Sequence, residues 1–167
     1  MTPVWALSLA YWLHMLATVI WIGGLSALVI LVIPASRKAL ERGAYASFLS
    51  GVQQRLDPLS WTCLLVLAAT GMFQMSASPN YQGFLAIDNR WAAAILVKHM
   101  LFLAMTCISA YLTWGVLPEL RRIAMRQARG QETLEAERLE KIETNLLRLN
   151  LVLGGLVLGL TALARVS

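Results

Sequence analysis

The sequence predicts an all-α integral membrane protein, a four-helix bundle joined by cytoplasmic amphipathic connecting helices. Three observations predict it. Of 167 residues, 58% are hydrophobic and only 14% are charged, whereas a water-soluble domain carries about a quarter charged residues to cover its surface. Four apolar stretches, near 4–33, 58–77, 91–117 and 146–164, reach the ~20 residues that a helix needs to cross a hydrocarbon core of ~30 Å. The basic residues gather in two of the three connections between them. With no internal repeat or low-complexity tract, residues 1–167 read as a single transmembrane domain.

The first span begins almost at Met1 without a basic leader, and it is too long and too rich in tryptophan for a cleaved signal peptide. It reads as a retained span closed by Pro34. Residues 35–56 mix Leu40, Phe48, Leu49, Val52 and Leu56 with basic residues, as a helix lying on the membrane surface would. Asp57-Pro58 then offers an N-cap followed by proline at the first helical position, a start signal for the second span. Ser78-Pro79-Asn80 marks its end, and residues 78–90 form a short external link. After the third span, residues 131–144 read as a solvated helix with Glu137 and Lys141 at i,i+4, entering the fourth span after a break at Gly130. Gly155 and Gly159 make a GxxxG in that span, a pattern read as close helix packing.

Lys and Arg are retained on the cytoplasmic side of a membrane. Arg37, Lys38, Arg42 and Arg55 occupy the first connection; Arg121, Arg122, Arg126, Arg129, Arg138 and Lys141 occupy the third, and Arg148 opens the fourth span. Only Arg90 and Arg165 lie at the opposite end. Both termini are therefore expected to be extracytoplasmic, in a bacterial plasma (inner) membrane. The net charge of +5 is explained by this topology, and nucleic acid is not expected as a partner because the basic residues flank apolar runs. Cys63 and Cys107 lie in apolar segments without CxxC spacing, which argues against a disulfide framework or a thiolate metal site.

Candidate chemistry centres on the two histidines. His14 lies in the first span and His99 in the third, and ionisable groups in lipid mark function by default. Both spans run in the same direction, and at 1.5 Å per residue the rings descend about 15 Å and 12 Å from the outer ends. Two imidazoles facing each other across a bundle can hold a metal ion or a haem iron. Thr18, Trp21 and Leu25 share the face of His14, while Gly23, Gly24 and Gly71 could admit a flat ring or close helix contact. Met15, Met72 and Met100 add soft thioethers, which with imidazoles suit Cu(I). Lys98 can snorkel to the headgroups or pair with an anionic ligand group. The nine acidic residues all fall in loops or at span ends, so no carboxylate relay through the membrane is expected. No phosphate-cradling loop, nucleophile elbow or HExxH is present.

The run from His14 through Trp21-Ile-Gly23-Gly24, Pro34, Thr70-Gly71 and Lys98-His99 resembles the copper-resistance D (CopD) family of small membrane proteins. It is more distantly similar to the HemJ-type protoporphyrinogen oxidases. The resemblance implies a four-helix membrane bundle with a histidine-centred site for copper or haem b. His14 matches the first-span histidine, and Lys98-His99 match the third-span pair. Three functions follow. The chain could bind or pass copper through His14, His99 and the neighbouring methionines; it could hold b-type haem between the same histidines as an oxidase or electron-transfer subunit; or it could be a structural subunit of a larger membrane complex. The expected partners are the lipid bilayer, a copper ion or haem, and in the last case other membrane subunits.

Overall fold

A computed structural model describes residues 3–79, 81, 83, 90–127 and 135–166. Most of the link 78–90 and the break at Gly130 lie outside the described residues. The elements are α1 (Val4–Ser26), a π-helical turn (Ala27–Val32), α2 (Ile33–Ala39), α3 (Arg42–Ser76), α4 (Arg90–Tyr111), a second π-helical turn (Leu112–Val116), α5 (Leu117–Gln127) and α6 (Glu135–Val166). Joined end to end, they make four rods long and apolar enough to cross a membrane: Val4–Ala39, Gly43–Ser76, Trp91–Ile123 and Ala136–Leu163. Side chains such as Val19, Leu31, Leu65, Trp114 and Val152 stand exposed on the outside of the bundle. In lipid that surface needs no further cover, and helices satisfy their own backbone hydrogen bonds there.

The rods run further than hydropathy alone predicts, and proline does not stop them. Pro34 does not close the first span, which continues to Ala39 before Leu40 turns extended. Asp57-Pro58 does not start the second, because α3 is one 35-residue helix with Pro58 inside it. Residues 42–56, expected as a separate surface helix, are its first four turns. Proline lacks an N–H, and its ring presses on the carbonyl four residues back. For Pro34 and Pro118 that carbonyl belongs to Ile30 and Trp114, and each lies in a π-helical turn. There the N–H groups of Ile33 and Leu117 reach back five residues, to Leu28 and Leu112, so the wider turn absorbs the clash. Asp57, expected as a cap, instead accepts a hydrogen bond from Thr113 Oγ1 at 3.4 Å.

α1 packs along α3 and α4 along α6, with α6 also touching α1 and α5 touching α3. Between them are two apolar clusters. One joins Ala17 and Trp21 of α1, Cys63, Leu64 and Leu67 of α3, and Met105 of α4. The other, nearer the connections, joins Leu25, Leu28 and Ile33 to Tyr45, Leu49, Val116 and Leu147. Met105 is wholly buried, and Gly154 makes room for it: a Cβ there would stand 3.3 Å from Met105 Cε and 3.7 Å from Ile22 Cδ1. The GxxxG expectation is corrected by one residue, since a Cβ on Gly155 or Gly159 would meet nothing within 4 Å. Heptad-like spacing names a face, and only the packing decides that the face through Gly154 points inward.

A second correction concerns charge. Glu143 lies within α6 and is 1% exposed, so the acidic residues are not confined to solvated ends. Gln53 Nε2 donates to its carboxylate. Arg37 lies within electrostatic reach of it, donating through Nη2 to Thr144 Oγ1 at 3.0 Å and through Nε to Tyr45 Oη at 3.1 Å. These bonds tie α2, α3 and α6 together at one end of the bundle, where an unpaired buried carboxylate would be costly.

Gly154→Leu is expected to lower stability by about 1–3 kcal/mol through overpacking against Met105 and Ile22, while Gly155→Leu leaves it nearly unchanged. Thermal unfolding of the two variants in detergent checks this, and equal melting temperatures would refute the assigned interface.

Candidate functional site

α1 carries His14 on the side that meets α3. Its Nδ1 lies 2.8 Å from Thr70 Oγ1, and the Thr70 hydroxyl donates its one proton to the Val66 carbonyl at 2.6 Å. The threonine oxygen must therefore accept from His14, which makes His14 the Nδ1–H tautomer with its lone pair on Nε2. Gly71 keeps the space beside the ring, since a Cβ there would already touch His14 Cε1 at 3.4 Å. One turn on, Gln74 Nε2 donates to the Ala10 carbonyl at 3.1 Å, fixing the register of α1 on α3. Thr18, on the face of His14, does not meet the ring but donates to the His14 backbone carbonyl at 2.7 Å. A threonine on the same helix is committed to the turn above it, and the partner comes from the neighbouring helix.

His99 on α4 has the same polarity. Its Nδ1 lies 2.7 Å from the Ile95 carbonyl, which can only accept. His99 thus also carries a proton on Nδ1. Such a hydrogen bond orients an imidazole and raises the basicity of its other nitrogen.

The two helices meet through aromatic rings: Trp21 and Phe102 stack edge to face, with centroids 6.3 Å apart. Trp21 is seven residues past His14 and Phe102 three past His99, which sets the rings about two turns and about one turn above the same contact. Lys98 is close enough to His14 to act on it electrostatically. The structure therefore groups His14, Thr70 and Gly71, with Lys98 of α4 within electrostatic range of His14. Met15, Met72 and Met100 lie on the outer surface of the bundle, 61%, 57% and 52% exposed. Among the described residues, no three His, Cys, Asp or Glu side chains gather as a metal cage.

Sequence reasoning did not find Thr70 as the ring's partner, nor the polar residues between the helices further along. The available signal was the polar residues themselves: Gln53, Thr113, Asn150 and Glu143 interrupt otherwise apolar faces.

Nitrogen NMR of histidine-labelled protein is expected to show Nδ1 as a protonated nitrogen in both rings. Thr70→Val removes the acceptor and should mix the tautomers of His14 alone. A His14 signal unchanged by that substitution would refute the Thr70 bond.

No curated protein and no solved structure matches the chain. A family model does match it, over residues 50–164, and its description is copper resistance protein D. That range takes in most of the second rod and the third and fourth rods, with Thr70, Gly71 and Lys98-His99, and the all-helical four-rod fold agrees with it. The chain is an integral membrane protein of the copper resistance protein D (CopD) family.

Proposed function

We propose that the chain is a copper-handling membrane protein in which His14 and His99 bind copper as cargo in the half of the bilayer nearer the termini. The observation that carries this reading is the shared polarity of the two rings, each committing Nδ1–H to an oxygen, so that a metal would be met by Nε2. Imidazole suits copper in either common oxidation state, and thioethers select Cu(I). Met15, Met72 and Met100 flank the site from the lipid-facing surface and are proposed to assist the entry of Cu(I). Trp21 closes the floor of the site against α4, Gly71 keeps room for the His14 ring, and Lys98 tunes the charge beside it. Family membership supports copper as the cargo.

The expected result is that purified protein takes up Cu(I) in competition with a chromophoric chelator. His14→Ala and His99→Ala should each weaken uptake about tenfold or more, a loss of at least ~1.4 kcal/mol, with the double substitution adding little. The shared site is refuted if one substitution leaves affinity and stoichiometry intact. An intense Soret band in the wild type would replace copper by haem, and a wild type that takes neither would favour a structural subunit.

We further propose that both termini are extracytoplasmic, because the opposite end of the bundle holds Arg37, Lys38, Arg55, Arg121, Arg122 and Arg126 on the helix ends there. A reporter active only in the cytoplasm, fused after Ser167, should be silent. Strong activity would reverse the orientation and put the histidines in the cytoplasmic half.

A further inference from the structure

Below the histidines, toward the basic end, the bundle holds two cavities that follow one another along α3. The upper one, of about 70 Å³, is lined by Trp21 and Cys63, each seven residues from His14 and Thr70 along the same faces of α1 and α3, so it lies about two turns from the histidine site. The lower one, of about 30 Å³, is lined by Tyr45, Ser50, Arg121, Glu140 and Glu143. Gln53 and Leu117 line both and mark the junction. One water needs about 10–15 Å³ of such space, whereas a cavity that takes a benzene ring measures about 150 Å³. Both cavities suit water, and neither suits a ring.

The polar groups of the upper cavity call for a partner that both donates and accepts. Asn150, 3% exposed, donates through Nδ2 to Ser109 Oγ at 3.0 Å, while its Oδ1 has no hydrogen-bond partner. Ser60 and Ser109 line the same space with hydroxyl protons that no described residue accepts. Asp57 accepts from Thr113 Oγ1 at 3.4 Å through Oδ1, and Thr113 accepts in turn from Trp61 Nε1 at 3.4 Å. Arg121 of α5 lies within electrostatic reach of Asp57, so charge does not call for an ion. A buried acceptor beside free hydroxyl donors is a lining that water satisfies. α1 and α4 bring no titratable group to the upper cavity, and α3 brings Asp57 and Cys63. In the lower cavity Glu143 accepts from Gln53 Nε2 at the junction and faces Glu140 of its own helix and Arg37 of α2.

We infer that waters fill both cavities and give Asp57 a route for exchanging protons with the medium at the basic end of the bundle. Each transfer makes and breaks O–H bonds alone. The water beside Asp57 gives a proton to the carboxylate and takes one from the water behind it, which is replenished through the lower cavity past Glu143. The reverse order returns the proton, and no electron moves. Gln53 places an amide at the junction, where an apolar side chain would interrupt the water. Toward the histidines the route stops, because Ala17, Trp21, Leu67 and Met105 close the interior there. It is an inlet from one side, and it does not depend on what His14 and His99 bind.

Infrared spectroscopy of the purified protein carrying Cys107→Ser, which leaves Cys63 as its one thiol, tests both parts. On transfer to deuterium oxide, the Cys63 S–H stretch is expected to shift to S–D before the core amides exchange. On acidification, a protonated carboxyl band should appear of which Asp57→Asn removes one component. Ser50→Leu, which plugs the lower cavity, should slow the thiol exchange about tenfold or more, with Ala46→Leu in its place if that variant does not fold. His14→Ala should leave both signals unchanged. A Cys63 thiol that exchanges no faster than the core amides would mean dry cavities and overturn the inference. So would an acid-induced spectrum unaltered by Asp57→Asn, or thiol exchange as fast in the plugged variants as in the parent.

Discussion

A peptide backbone in hydrocarbon has no water to satisfy its N–H and C=O groups, and this constraint governs the shape of the molecule. It explains why helices persist where soluble proteins end them. A proline inside a helix costs roughly 3 kcal/mol in water, yet Pro34, Pro58 and Pro118 all lie within continuous helical rods. Unwinding at such a point would strand several backbone groups in an apolar setting, whereas a π-helical turn strands few. Two of the three prolines follow such turns, and both of those turns lie in rods that also carry a histidine.

Continuity of the rods has a consequence for polarity. Because α3 begins at Arg42 and α6 at Glu135, residues that hydropathy assigns to connections are drawn into the bundle. Gln53, Glu143 and Thr144 become interior, and Arg37 and Tyr45 close over them. The bundle is thereby divided along its length. Near the termini the interior polar groups pair locally, His14 with Thr70 and Gln74 with the Ala10 carbonyl; near the connections the interior is a hydrogen-bonded network around a cavity.

The histidine rings illustrate how a membrane interior fixes the orientation of an imidazole. An imidazole in lipid needs a partner for its N–H, and the nearest oxygens are a threonine hydroxyl already turned toward its own helix and a backbone carbonyl four residues back. Both can accept only at Nδ1. The same bond that satisfies the ring thus selects the tautomer and aims Nε2 away from its holder. Gly71 is part of this arrangement because only a small residue leaves the ring its place against α3.

Fold class, the number of spans and the residues most apt for chemistry were legible in the sequence, because each depends on composition or on length against a fixed bilayer thickness. Family resemblance was legible in short motifs around His14, Thr70 and His99. Helix ends were not, since Asp57-Pro58 and Pro34 carry stop and start signals calibrated on chains in water, where a freed backbone group finds a partner. Nor was the inward glycine: Gly154 and Gly155 are neighbours in sequence, and about 100° of rotation decides which of them meets Met105. The sequence by itself determined that four helices would form and that two histidines would lie among them. Only the tertiary structure decided that Thr70 orients His14, that Gln53 meets Glu143 and that Asn150 meets Ser109, because hydrogen-bond partners between helices are set by rotation and register, and neither is encoded in any one segment.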